Sequence, residues 1–99
     1  MKRGDIILIT VPFSDLTSTK VRPALVVSPE NPAEGDFVVA LITTNIDRAL
    51  QPSDHALKTT DKDFSGTGLR FDSMFRMAKL FTLNKVLAQR RLGKASPGL

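Results

Sequence analysis

No amphipathic helix is available to this chain, and that absence constrains its fold most. Nowhere do apolar residues recur at three- and four-residue spacing over a dozen positions, as a stable helix face requires. Apolar and β-branched residues come instead in short runs separated by Pro, Gly and polar stretches. Asp5–Val11 (DIILITV) is one such run, ended by Pro12 and the polar loop Ser14–Lys20. Arg22–Ser28 (RPALVVS) is a second. Its Pro23 cannot donate to a ladder and so belongs at a strand start or edge. Asp36–Thr44 (DFVVALITT) is the clearest strand, entered from a loop punctuated by Pro29, Pro32 and Gly35. Further on, His55–Thr60 and Leu69–Met77 predict strands, the latter with one wet face. Ser65-Gly66-Thr67-Gly68 predicts a tight turn, and Leu80–Leu83 is a short apolar piece. Val86–Leu92 reads as a strand or as one helical turn before Gly93. A chain of 99 residues has room for one core. The pattern therefore predicts a single domain over residues 1–99, mainly β, shaped as a small barrel that closes its own edges.

Composition narrows the chemistry. There are no cysteines, which removes disulfides, thiolate metal sites and a Cys nucleophile, and permits a reducing cytoplasm. No apolar run approaches the ~20 residues of a membrane span, so no membrane partner is expected. Mean hydropathy is −0.04, that of a globular chain. Charge is informative by its distribution. Residues 1–69 net −2 and residues 70–99 net +6, with Asp72 the only acid in the second group. A basic third on a mildly acidic body favours a polyanionic partner.

Several constellations carry little. Asp61, Asp63, Ser65, Gly66 and Asp72 mimic the spacing of a calcium loop, but the twelfth residue is Asp and no helices flank it. A polar hairpin connection explains them better, and no metal ligands are assigned. His55, the lone histidine, has Asp54 beside it in sequence only and reads as a surface histidine. No phosphate-binding Gly-rich loop, dinucleotide fingerprint or GxSxG is present, so no cofactor is expected. Arg22 differs. Pro23 restricts it to extended geometry where a polar loop meets a buried strand. A guanidinium so held can grip a phosphate with both arms of its fork, or pair with Asp5 or Asp15.

Lys2-Arg3-Gly4-Asp5-Ile6-Ile7, Val11-Pro12-Phe13-Ser14 and Val21-Arg22-Pro23-Ala24-Leu25-Val26-Val27-Ser28 together resemble the amino-terminal half of PemK/MazF-like toxins. The match continues at Val39-Ala40-Leu41-Ile42-Thr43, at Lys79-Leu80-Phe81-Thr82-Leu83 and at Arg91-Leu92-Gly93. The resemblance implies a mainly β, small SH3-like (PemK/CcdB-like) barrel with little helix. It implies a homodimeric toxin of a type II toxin–antitoxin pair, acting in the cytoplasm and cutting single-stranded RNA, including mRNA, without a metal ion. The cognate antitoxin blocks the RNA groove, and DNA is reached only indirectly through the antitoxin complex. By position, Arg22 and Thr43 correspond to residues implicated in catalysis, and Arg76 to a further active-site arginine of some members. Lys20, Arg70, Asp72, Ser73 and Lys79 are the expected RNA contacts around them, with the loop Asp15–Val21 as a gate.

The implied reaction is attack by a ribose 2′-OH on the adjacent phosphorus, which needs a base, charge stabilisation and an acid. Arginines suit the second task because a guanidinium stays charged. The chain departs from part of the family at Ala78, where some members carry Asp, and has no histidine between Ser14 and Lys20. It also ends at Ser96-Pro97-Gly98-Leu99 where members continue into a closing helix. That predicts a barrel lacking the C-terminal helix, with dimerisation covering the bared surface. The rival reading is a same-fold toxin or inactive homologue that binds RNA, or a protein target such as a topoisomerase, without cleavage.

Overall fold

The computed structural model describes residues 2–12, 19–28, 35–44 and 52–95, with residues 11, 12, 19 and 20 described by backbone alone. Six strands form one antiparallel sheet: β1 (Asp5–Pro12), β2 (Thr19–Val26), β3 (Asp36–Thr43), β4 (Asp54–Leu57), β5 (Ser73–Asn84) and β6 (Ala88–Lys94). Their order is β4-β5-β3-β2-β1-β6. The expected mainly β fold is present, and the described residues contain no α-helix. Closure is the point of difference. β4 and β6 stand at opposite ends of the order and are not paired to each other, so the sheet is a partial barrel.

Alternation of side chains along each strand gives two cores, one on each face. Ile6, Leu25, Ala40, Ile42, Leu57 and Phe75 pack together with Phe64, which arrives from the β4–β5 connection. On the other face lie Ile7, Ile9, Ala24, Val26, Phe37 and Val39. Burial on both faces accounts for the near-continuous apolar runs of β1, β2 and β3.

The β4–β5 connection is held against the sheet by a short 3-10 turn at Ser65–Thr67, where the sequence predicts a tight turn. Thr67 is fully buried, and its hydroxyl donates to the Phe64 carbonyl at 2.6 Å. Gly68 closes the turn at φ +75°, and a Cβ there would stand 2.2 Å from the Leu92 carbonyl oxygen. Gly93 faces the turn equally closely, its added Cβ meeting the Thr67 carbonyl carbon at 2.3 Å. Glycine at 68 and 93 thus lets β6 and the turn touch backbone to backbone.

Two expected pieces, Leu69–Met77 and Leu80–Leu83, turn out to belong to one strand, β5, which starts only at Ser73. Ala40 pairs with Leu80 but Leu41 with Arg76, so Met77, Ala78 and Lys79 stand out of the ladder as a bulge. The strand expected at His55–Thr60 ends at Leu57, because the Lys58 amide donates to Asp61 Oδ2 at 2.8 Å and turns the chain. Both alternatives for Val86–Leu92 occur in succession. A 3-10 turn at Lys85–Leu87 is capped by Asn84, whose side chain accepts from the Val86 amide, and β6 follows. Ser96–Leu99 and most of the loop Asp15–Val21 lie outside the described residues.

Candidate functional site

The pairing registers line up side chains in rows across the sheet. One row runs Ile7–Ala24–Leu41–Arg76–Asp54 over β1, β2, β3, β5 and β4. In the next row Ile9 pairs with Arg22, and Thr43 pairs with Met74, which pairs with Ala56. The β2–β3 ladder runs from Val26↔Val39 to Ala24↔Leu41. The pairing stops there, and Arg22 and Thr43 each lie two residues beyond it, on the side of the sheet that Ala24 and Leu41 occupy. By alternation Arg22, Thr43 and Arg76 share one face, with Arg76 diagonal to Thr43. Diagonal residues on one face stand ~7–8 Å apart.

The three differ in setting. Arg22 is exposed and Thr43 half-buried. Asp5, one of the two carboxylates considered as a partner for Arg22, accepts from Arg91 Nε at 3.1 Å; Asp15 lies outside the described residues. Arg76 is mostly buried. Its Nε stands 3.7 Å from Asp54 Oδ1, with side chains 15% and 1% exposed. That separation makes an ion pair but no hydrogen bond, and Nε has no other partner. Nothing in the sequence singles out Asp54 for this role, since only the β4–β5 register brings it to Arg76. His55, the neighbour of Asp54, points to the opposite face, where its ring meets Phe75 edge-on with centroids 6.3 Å apart. That separates it from the face of Arg22 and Thr43.

The expected RNA contacts have different settings. Arg70 is exposed, and Asp72 is half-buried with Oδ1 accepting from the Thr59 amide at 2.7 Å. Lys79 is exposed in the β5 bulge, beside Ala78. Ser73 is only 1% exposed and donates its hydroxyl to the Phe71 carbonyl at 2.8 Å, so its side chain serves the turn into β5. The backbone of Lys20 pairs with Val11, and its side chain lies outside the described residues. Arg70 and Asp72 border an open groove of about 540 Å³, lined also by Thr44, Thr59 and Phe71. Among the described residues, no three His, Cys, Asp or Glu side chains gather as a metal cluster would. Nor is any described helix long and apolar enough to cross a membrane.

A family model described as PemK-like, MazF-like toxin of type II toxin–antitoxin systems matches residues 2–99. Among solved structures, one of similar fold is an endoribonuclease in complex with its cognate antitoxin from a mycobacterial species. The two superpose with a TM-score of 0.69 at 22% identity, over 99% of this chain and 82% of that one. None of the curated proteins matches.

Proposed function

This chain belongs to the PemK-like, MazF-like toxins of type II toxin–antitoxin systems, and we propose that it is an endoribonuclease cutting single-stranded RNA at short sequences. The observation that supports the reading is that Arg22, Thr43 and a second guanidinium, Arg76, fall on one face of the sheet. In the proposed step the ribose 2′-oxygen bonds to phosphorus and the bond from phosphorus to the 5′-oxygen breaks. A cyclic phosphate and a free 5′-hydroxyl result. The proton lost by the 2′-OH balances the one gained by the leaving oxygen, so none is consumed overall.

Arg22 reaches solvent from the middle of β2, where Pro23 stiffens the strand, and would grip non-bridging phosphate oxygens as charge builds on them. Thr43, on the same face, would orient the phosphate or the 2′-OH by hydrogen bonding. Arg76 adds positive potential from a less hydrated position, where each charge acts more strongly than in water. The partners proposed are mRNA, a cognate antitoxin whose segment covers this face, and a second copy of the chain. The proposed compartment is the cytoplasm, where mRNA is found.

The test is incubation of the protein with mixed RNA in EDTA. Discrete fragments whose 5′ ends are labelled by polynucleotide kinase without prior dephosphorylation are expected, and Arg22→Ala abolishes them. Intact RNA with the parental protein, or cutting at the parental rate by Arg22→Ala, refutes the reading. RNA bound but left whole indicates the non-cleaving alternative.

A further inference from the structure

The groove beyond Thr43 has a chemistry that phosphate binding alone does not explain. Phe71 is 66% exposed, whereas Phe37, Phe64 and Phe75 are buried. An aromatic ring left open beside a groove can offer its face to a flat partner. Asp72 is the only acid among residues 70–99, on a surface otherwise suited to a polyanion. A carboxylate repels a phosphate backbone and can only accept hydrogen bonds, so it suits a ligand edge that donates. Its orientation is fixed, since Oδ1 already takes the Thr59 amide at 2.7 Å. Arg70 lines the same groove and supplies a cation for a flanking phosphate. Thr44 directly follows Thr43, and Asp72 lies two residues from Met74, the partner of Thr43. Two residues of chain span at most roughly 7 Å, so the groove lies near Thr43.

Resting on the ribonuclease reading above, we infer that the groove lined by Arg70, Phe71 and Asp72 holds the nucleobase beside the scissile phosphate, and that it takes a base with an exocyclic amino group. The unstacked base lies on Phe71, and its amino group donates to Asp72. Adenine, guanine and cytosine carry such a group; uracil does not. Stacking on aromatic side chains is the general means by which single-stranded RNA is held.

Two measurements on the full chain test this. The first uses uncleavable 2′-O-methyl hexanucleotides carrying 2-aminopurine at each position in turn; this base fluoresces, is quenched by stacking and has an amino group. Quenching at one position is expected with the parental protein and with Phe71→Trp. Phe71→Ala loses it and binds about 5- to 150-fold more weakly. The second is cut-site mapping with Asp72→Asn, whose side-chain oxygen still accepts from Thr59 while its amide presents a donor. Discrimination against uracil at one position next to the cut is expected to disappear, with the melting temperature unchanged. Equal quenching by Phe71→Ala and the parental protein, or an unaltered base preference in Asp72→Asn, overturns the inference and leaves the nuclease reading standing. Position-specific quenching by a protein that leaves RNA whole has the reverse meaning, removing the nuclease reading and keeping the subsite.

Discussion

The Arg76–Asp54 pair joins the candidate site to the stability of the sheet, and replacing Arg76 by Met separates the two roles. The charges stand 3.7 Å apart with side chains 15% and 1% exposed. At an effective dielectric of about 20 their attraction is on the order of 4 kcal/mol. Removing the cation leaves a carboxylate with almost no access to water, and breaking a buried pair in this way costs about 3–5 kcal/mol. The length of the contact, too great for a hydrogen bond, puts the expected loss near the lower end, about 3 kcal/mol. For a domain of this size the melting temperature then falls by roughly 12–24 °C. Asp54→Asn strands the partly exposed partner instead and costs less, about 1–2 kcal/mol. The double variant Asp54→Asn/Arg76→Met buries no charge and recovers at least half of the loss. Thermal unfolding of all four proteins gives the coupling directly. Additivity within ~0.5 kcal/mol would refute the idea that these side chains stabilise each other. Cleavage supplies the second readout. The double variant regains stability but remains slow if Arg76 acts on RNA, whereas activity that returns with stability assigns Arg76 to the fold alone.

Other outcomes follow from particular contacts. Gly93→Ala and Gly68→Ala force a Cβ to within 2.3 Å of Thr67 and 2.2 Å of Leu92 respectively, so each should cost at least about 2 kcal/mol in denaturant titration. Arg22→Ala is expected to leave the melting temperature within ~2 °C of parental, because Arg22 is exposed, while RNA cleavage is lost. Leu80 and Phe81, 51% and 46% exposed, lie where no described strand pairs the outer edge of β5. A second copy is expected to cover them, and Leu80→Glu should shift the chain to monomer in light scattering. Arg70→Gln should flatten the salt dependence of RNA binding by about 0.7 in log–log slope, the share of one phosphate contact on a single strand.

Local composition made the first three strands legible, since nothing but a strand buried on both faces suits runs such as DIILITV and DFVVALITT. It could not show that Leu69–Met77 and Leu80–Leu83 join through a bulge. A strand interrupted by three unpaired residues loses its alternation just where the pattern would be read. Nor could it show that the sheet stays open, because closure depends on tilt and register between distant strands. At the site, Arg22 stood out through Pro23, and the resemblance supplied Thr43 and Arg76. Asp54 and Phe71 escaped notice because each acquires its meaning from another part of the chain. Asp54 matters through pairing with Arg76, and Phe71 through a groove whose walls come from the residues just after β3, just after β4 and just before β5. Ser73 is the opposite case: its place between Arg70 and Arg76 in sequence suggested an RNA contact, and the fold gives its hydroxyl the Phe71 carbonyl as a partner.

The account depends on Arg22 and Thr43 acting together on one phosphate, and a kinetic double-mutant cycle measures that directly. Single-turnover cleavage of a mapped RNA site would be compared for the parental protein, Arg22→Ala, Thr43→Ala and the double variant. Groups that work as one unit are not additive, so the double variant should be no slower than the slower single variant. Rate losses that multiply would mean that the two side chains contribute separately, and would contradict the assignment of one shared site.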